Sequence, residues 1–70
     1  MAAFKTTDVV ALLKAYPDQA LAKGQVGTIV ETFDNEYYEV EFTDKSGQMI
    51  ATLSLPAFEL MRLHFEPEKV

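Results

Sequence analysis

The chain has 70 residues and a net charge of −5, with six lysines and arginines against eleven aspartates and glutamates. This length predicts one domain over residues 1–70, with its core at about 8–65 and a charged tail at 66–70 that frays. The negative charge disfavours a nucleic-acid partner, because an acidic surface repels phosphates. The absence of cysteine excludes disulfides and thiolate metal sites.

The chain carries no sequence pattern of a membrane or secreted protein. Its longest apolar run, Val9–Leu13, is far shorter than the roughly 20 residues that cross a bilayer. The N-terminal residues lack the basic flank and apolar run of a signal peptide. We therefore expect a soluble cytoplasmic protein with no membrane partner.

The first apolar segment, Asp8–Leu13, is short and rich in β-branched residues. Proline biases the residue before it away from helical angles, so Pro17 favours a strand here. An amphipathic helix over residues 9–22 is the alternative that the sequence leaves open. A loop or a single helical turn follows and is broken at Gly24.

Two β-rich runs, Val26–Phe33 and Glu36–Thr43, are separated by an Asp-Asn pair that tolerates the positive φ angles of a tight turn. This pattern predicts a β-hairpin. A two-residue turn places Ile29 opposite Val40, whereas a slip by one residue would place it opposite Glu39. The apolar pairing favours the first register.

The same register makes two further predictions about the inner face of the hairpin. Gly27 lies opposite Phe42, so the missing side chain leaves room for the aromatic ring. Glu31 falls on the inner face beside Tyr38, either at the rim of the barrel or slightly buried.

A second turn is predicted at Asp44–Gly47, with Gly47 in the left-handed conformation. A four-residue loop places Phe42 opposite Met49, which keeps apolar residues paired. Leu55–Glu59 then resembles one helical turn, and a short strand at Leu60–Leu63 follows. Together these elements predict an all-β fold, a small five-stranded SH3-like barrel with a long first loop and one helical turn before the last strand.

The segments DVVALL, KGQVGTIVE, YYEVEF, SGQMIATLSL and ELMRL resemble a family of short bacterial proteins known as a domain of unknown function, DUF4926, over about Asp8 to Leu63. The resemblance implies a compact SH3-like β-barrel and carries no activity, so it transfers no functional residues. GQVGTIVE also resembles the KOW motif of ribosomal and transcription-elongation proteins over about Lys23–Thr32, but without basic residues around the glycines.

The GQVG stretch, Gly24–Gly27, has two interpretations. A GxxG loop clamps a nucleic-acid backbone in KH domains, where it joins two helices. Here it enters a strand, which favours the corner of a β-barrel. The nucleic-acid interpretation requires a basic patch near these glycines, and its candidate members are Lys14, Lys23, Lys45 and Arg62.

The carboxylates form a second candidate site. Glu39 and Glu41 lie on one face of a strand, about 7 Å apart at two strand rises. Asp34 and Glu36 lie at the nearby hairpin tip. Such a group could hold a divalent cation or meet a basic partner, and a solvated outer face is the interpretation that the sequence favours.

His64 is the only histidine in the chain. A base–nucleophile pair with Ser46 or Ser54 would need a geometry that the sequence does not supply. We therefore expect a protein that is not an enzyme and has no cofactor and no metal site.

The aromatic side chains outnumber the places in one small interior, so some are expected at the surface. SH3 domains bind proline-rich peptides on exposed aromatics, helped by acidic loop residues. The candidate partner surface here consists of Tyr16, Asp18, Tyr37, Glu39 and Glu41. Packing at the barrel ends or a homodimer contact is the alternative use of the aromatic side chains.

These observations predict a small acidic protein-binding module that acts as the partner of a basic protein. Its size and charge fit an antitoxin, an immunity-type protein or a regulatory partner. The alternative is a KOW-like module associated with RNA, the ribosome or the transcription machinery.

Overall fold

A computed structural model describes residues 4–34 and 36–63 of the chain. Two single-turn 3-10 helices, Pro17–Gln19 and Ala57–Glu59, are called here the first and the second 3-10 turn. The strands are β1 (Val9–Leu12), β2 (Val26–Phe33), β3 (Tyr37–Thr43), β4 (Met49–Pro56) and β5 (Leu60–Arg62).

The strands form one antiparallel sheet in the order β4-β3-β2-β1-β5, so the last strand returns to pair with the first. The predicted all-β fold with five strands, a long first loop and a turn before the last strand is confirmed, and β1 is a strand rather than a helix. Within the described residues no ladder joins β4 to β5, so the hydrogen-bonded sheet is open at these edges. The same residues contain no helix long and apolar enough to cross a membrane.

The inner face of the sheet carries the hydrophobic core. Side chains alternate between the two faces of a strand, and β3 accordingly buries every second residue from Tyr38 to Phe42, as predicted. Leu21, in the long first loop, is also buried because a bridge between Tyr16 and Leu21 closes that loop. The buried cluster consists of Val10, Leu12, Leu21, Ile29, Tyr38, Val40, Phe42, Leu55 and Leu60.

The hairpin register is confirmed at Gly27, Thr28 and Ile29, and then shifts by one residue. A β-bulge between Ile29 and Glu31 places Glu31 opposite Glu39. The prediction that Glu31 lies on the inner face beside Tyr38 is therefore wrong, and Glu31 is exposed. A bulge opposes two residues to one and turns the following side chains to the other face, which keeps this carboxylate in water.

The β3–β4 register also differs from the prediction. Phe42 lies opposite Ala51 instead of Met49, because the loop extends to Gln48 and a further irregularity follows Thr43. A shift of two residues preserves alternation, so Ala51 and Leu53 still pack against the core as predicted. The predicted core position of Met49 is wrong, because the irregularity places it opposite Thr43 and leaves it 60% exposed. Gly47 has a φ of +90°, which confirms its predicted left-handed conformation.

Candidate partner-binding face

The outer face of β3 carries three of the predicted surface residues in one row. Tyr37, Glu39 and Glu41 occupy alternate positions of the strand, while the residues between them are buried. Alternation along a strand places neighbours in this row about 7 Å apart. The three side chains therefore lie in one row on the outer face of β3, as the alternating pattern of this strand predicts.

A pair of like charges lies across two strands of this face. Glu31 on β2 is directly opposite Glu39 on β3, and Ser54 is the partner of Glu39 on β4. Within the part of the chain that the structure describes, no Lys or Arg forms an ion pair with either glutamate. Like charges directly opposite each other destabilise a sheet, so this pair is an uncompensated acidic feature.

An aromatic pocket lies at the start of β3, beside the acidic row. It has a volume of about 260 Å³ and is lined by Glu36, Tyr37, Pro56, Ala57 and Phe58. The Tyr37 and Phe58 side chains are 46% and 80% exposed. The backbone N–H of Ala57 donates a hydrogen bond to the Glu36 carbonyl at 3.0 Å, which holds the second 3-10 turn against the hairpin.

Tyr16 is placed differently from the prediction. Its hydroxyl donates a hydrogen bond to Glu59 Oε1, and the Lys14 ammonium lies 5.3 Å from the centre of its ring. The same Lys14 nitrogen is 3.6 Å from Glu59 Oε2. Tyr16 is partly buried in these contacts, so its interactions fasten the first loop to the second 3-10 turn.

Asp18 lies exposed in the first 3-10 turn. Tyr37, Glu39 and Glu41 share β3, whereas Asp18 belongs to the loop between β1 and β2. The structure thus brings the first three residues together on one strand and carries Asp18 on a different element.

Sequence reasoning missed Glu31 and Phe58 as members of this face. The only sequence signal of the bulge that turns Glu31 outward is a charged residue at a position that regular alternation assigns to the core. Phe58 follows Pro56 in the predicted helical turn, and a large apolar residue in so short a turn was the available signal for exposure. We call Glu31, Tyr37, Glu39, Glu41 and Phe58 the acidic–aromatic face.

The carboxylates of this face were also considered as ligands of a divalent cation. Among the described residues, no group of three or more His, Asp or Glu side chains is arranged to hold a metal ion. His64, which the sequence analysis considered as the base of a base–nucleophile pair, lies outside the described residues. The same is true of Asn35, which the sequence assigns to the hairpin turn, and of the predicted tail at 66–70.

The GQVG stretch forms a corner, as the sequence favoured. Gly24 has a φ of +89° in the turn before β2, and Gly27 already belongs to the strand. Only two of the four basic residues of the nucleic-acid alternative converge there. Lys23 and Lys45 line a groove beside Gly24, whereas the remaining two pair with carboxylates elsewhere, Lys14 with Glu59 and Arg62 with Asp8.

These features define a small all-β domain with a single antiparallel sheet and an outer face that is acidic and aromatic. The profile of one protein family, described as a domain of unknown function (DUF4926), matches residues 6–62. The chain belongs to this family. No curated protein and no solved structure matches the chain significantly.

Proposed function

We propose that this domain is a protein-binding module whose acidic–aromatic face receives a basic segment of a partner protein. The observation that carries the proposal is the pair Glu31 and Glu39, which face each other without a cation. A partner lysine or arginine placed between them relieves their repulsion. Such a contact therefore adds favourable energy in the complex that is absent in the free domain.

The aromatic pocket supplies an apolar anchor for the same partner. Phe58 and Tyr37 expose large apolar surface, and such residues are enriched among those that dominate binding energy. Glu36 also lines the pocket, so a basic residue next to the anchor meets a carboxylate there. We infer a partner segment with an apolar or proline side chain followed by lysine or arginine.

The charge of the whole domain supports this function as well. A net charge of −5 attracts a basic protein over a distance and raises the association rate. The small size and acidity fit an antitoxin, an immunity-type protein or a regulatory subunit. A protein of each of these classes acts by binding another protein.

Affinity capture with tagged protein from native cell extract at low salt tests the function. We expect one stoichiometric basic protein to bind the wild type. The Glu39→Lys variant should lose it, because the substitution places a cation where the partner's cation would lie. Asp18→Lys is the matched control, since it makes the same change in net charge outside the face and should retain the partner.

Two results would contradict the proposal. Capture of the same protein by the wild type and by Glu39→Lys would show that the acidic–aromatic face is not the binding site. Capture of ribosomes or polymerase that is abolished by nuclease would support the KOW-like alternative instead.

A further inference from the structure

The outer face carries a second feature at the other end of β3, away from the aromatic pocket. An open groove of about 620 Å³ lies between the β1–β2 loop and the β3–β4 loop. Val26 and Ile50, which are 47% and 38% exposed, contribute its apolar surface. Lys23 and Lys45 come from the two different loops and both line the groove.

These two lysines differ from the other basic residues of the described chain. Lys5, Lys14 and Arg62 each lie 3.1 to 3.6 Å from a carboxylate oxygen. Neither Lys23 nor Lys45 forms an ion pair with any residue that the structure describes. In a protein with a net charge of −5, the two basic residues between 4 and 63 that form no ion pair are thus gathered in one groove.

Asp44 is the carboxylate that lines the groove. Its side chain already accepts hydrogen bonds from its own loop. Its Oδ1 accepts hydrogen bonds from the Ser46 N–H, the Ser46 hydroxyl and the Gln48 N–H at 2.7 to 3.0 Å. The carboxylate therefore fixes the turn. Both lysine ammonium groups remain available to an anion from outside.

We propose that this groove binds a short acidic peptide segment in which one apolar side chain lies between carboxylates. The apolar side chain covers Val26 and Ile50, and the flanking carboxylates meet Lys23 and Lys45. Lysine suits this role, because its ammonium is a mobile point charge with three donors and does not require a fixed planar acceptor.

The surroundings of the groove favour a short peptide over a nucleic acid. Glu41 lies one step along the outer face from Thr43, which lines the groove, and it repels a polyanion that continues past the lysines. No aromatic side chain lines the groove among the described residues, so bases have no stacking platform. Two lysines also provide far fewer phosphate contacts than the roughly six to ten that give a DNA-binding protein its affinity.

This site goes beyond the proposed function, because it involves neither Glu39 nor the aromatic pocket. The test is a titration of ¹⁵N-labelled protein with an acetylated, amidated Glu-Glu-Leu-Glu-Glu peptide, followed by heteronuclear NMR. We expect millimolar peptide to shift the amide signals of Gly24, Thr43 and Lys45. Replacement of the central leucine by serine should weaken the binding.

Variants assign the binding to the two lysines. Lys23→Gln/Lys45→Gln should weaken the peptide affinity about tenfold, as expected for the loss of two charge contacts of roughly 0.7 kcal/mol each. Lys5→Gln/Lys14→Gln changes the net charge equally and should leave the affinity within about twofold of the wild type. The amide spectrum of each variant shows whether it is folded.

Three results would overturn the proposal. The first is an absence of shifts in the groove at millimolar peptide. The second is an equal loss of affinity in the two double variants, which would indicate a general charge effect. The third is a lysine-dependent interaction with an oligothymidylate that is tighter than that with the peptide, which would assign the groove to nucleic acid.

Discussion

Gly27 lies directly opposite Phe42 in the β2–β3 ladder, and the aromatic ring occupies the space that a side chain at Gly27 would fill. A Cβ atom at this position would be 2.7 Å from Phe42 Cδ1 and 2.7 Å from Val40 Cγ1. Real Cβ atoms do not approach other atoms so closely, and both neighbours are fully buried. This glycine is therefore fixed by packing and not by a turn.

Gly27→Ala should destabilise the domain by about 1 to 3 kcal/mol, the usual penalty for an overpacked core. Denaturant unfolding measures the change. Leucine at position 42 has no ring, so Phe42→Leu should relieve part of the steric clash that Gly27→Ala causes. The double variant should therefore lose less stability than the sum of the losses in the two single variants. Strictly additive losses would contradict a direct contact between the two positions.

Two adjacent leucines at the end of β1 provide a matched pair for the core. Leu12 is 2% exposed and Leu13 is 44% exposed. Leu12→Ala should cost about 2 to 5 kcal/mol through lost burial and a cavity, which is a large part of the roughly 3 to 10 kcal/mol expected for a domain of this size. Leu13→Ala should cost less than about 1 kcal/mol.

Thermal unfolding followed by circular dichroism distinguishes the two leucine variants. Leu12→Ala is expected to be partly unfolded at room temperature, while Leu13→Ala retains a cooperative transition. Similar midpoints for the two variants would mean that β1 does not present Leu12 to the core.

The hairpin was predictable from sequence as far as Ile29, because its apolar alternation tolerates only one register against Val40. The bulge that follows was not, because its only sequence signal is the charge of Glu31 at a core-facing position, and a position at the barrel rim explains that charge equally well. The two-residue shift of β4 relative to β3 was not predictable for another reason. A shift of two residues keeps Ala51 and Leu53 on the core face, so alternation alone does not distinguish the two registers. The hydrogen bonds of Asp44 extend the loop to Gln48 and fix the observed register.

The candidate site was also predictable from the sequence only in part. Glu39 and Glu41 were predictable together, because alternation within one strand is a local rule. The sequence predicts an exposed Tyr16, and this prediction fails because its partner Glu59 is 43 residues away in the chain. No local sequence pattern predicts that contact. The groove lined by Lys23 and Lys45 lies between two loops that are separated in the sequence, so it was not predictable either.

The contact between Tyr16 and Glu59 should contribute to the stability of the fold and not to partner binding. Tyr16→Phe removes the hydroxyl donor and leaves a partly buried carboxylate with one fewer partner, which should cost about 1 to 2 kcal/mol. Tyr37→Phe is the control, because the Tyr37 hydroxyl makes no hydrogen bond to the described residues. Denaturant midpoints should fall for Tyr16→Phe alone, and an equal fall in both variants would refute this role.

Acid should weaken the domain through Asp8 and Asp44. The Lys5 backbone N–H, followed by the side chain of Lys5 and the charge of Arg62, holds the pKa of Asp8 below its ordinary value of 3.8. The hydroxyl of Ser46 and the N–H groups of its loop likewise lower the pKa of Asp44. Both groups therefore bind protons more weakly in the folded than in the unfolded chain.

A lowered folded-state pKa gives stability that is complete above the unfolded value of about 3.8 and is lost as pH falls through the folded value. The free energy of unfolding should thus decline as the pH falls below about 4. Asp8→Asn/Asp44→Asn should be less stable than the wild type at neutral pH and should show a shallower decline in acid. Asp18→Asn, at a residue without a described ion pair or hydrogen bond, should follow the wild-type profile. Parallel curves for the wild type and the Asp8/Asp44 variant would show that these two carboxylates do not govern acid unfolding.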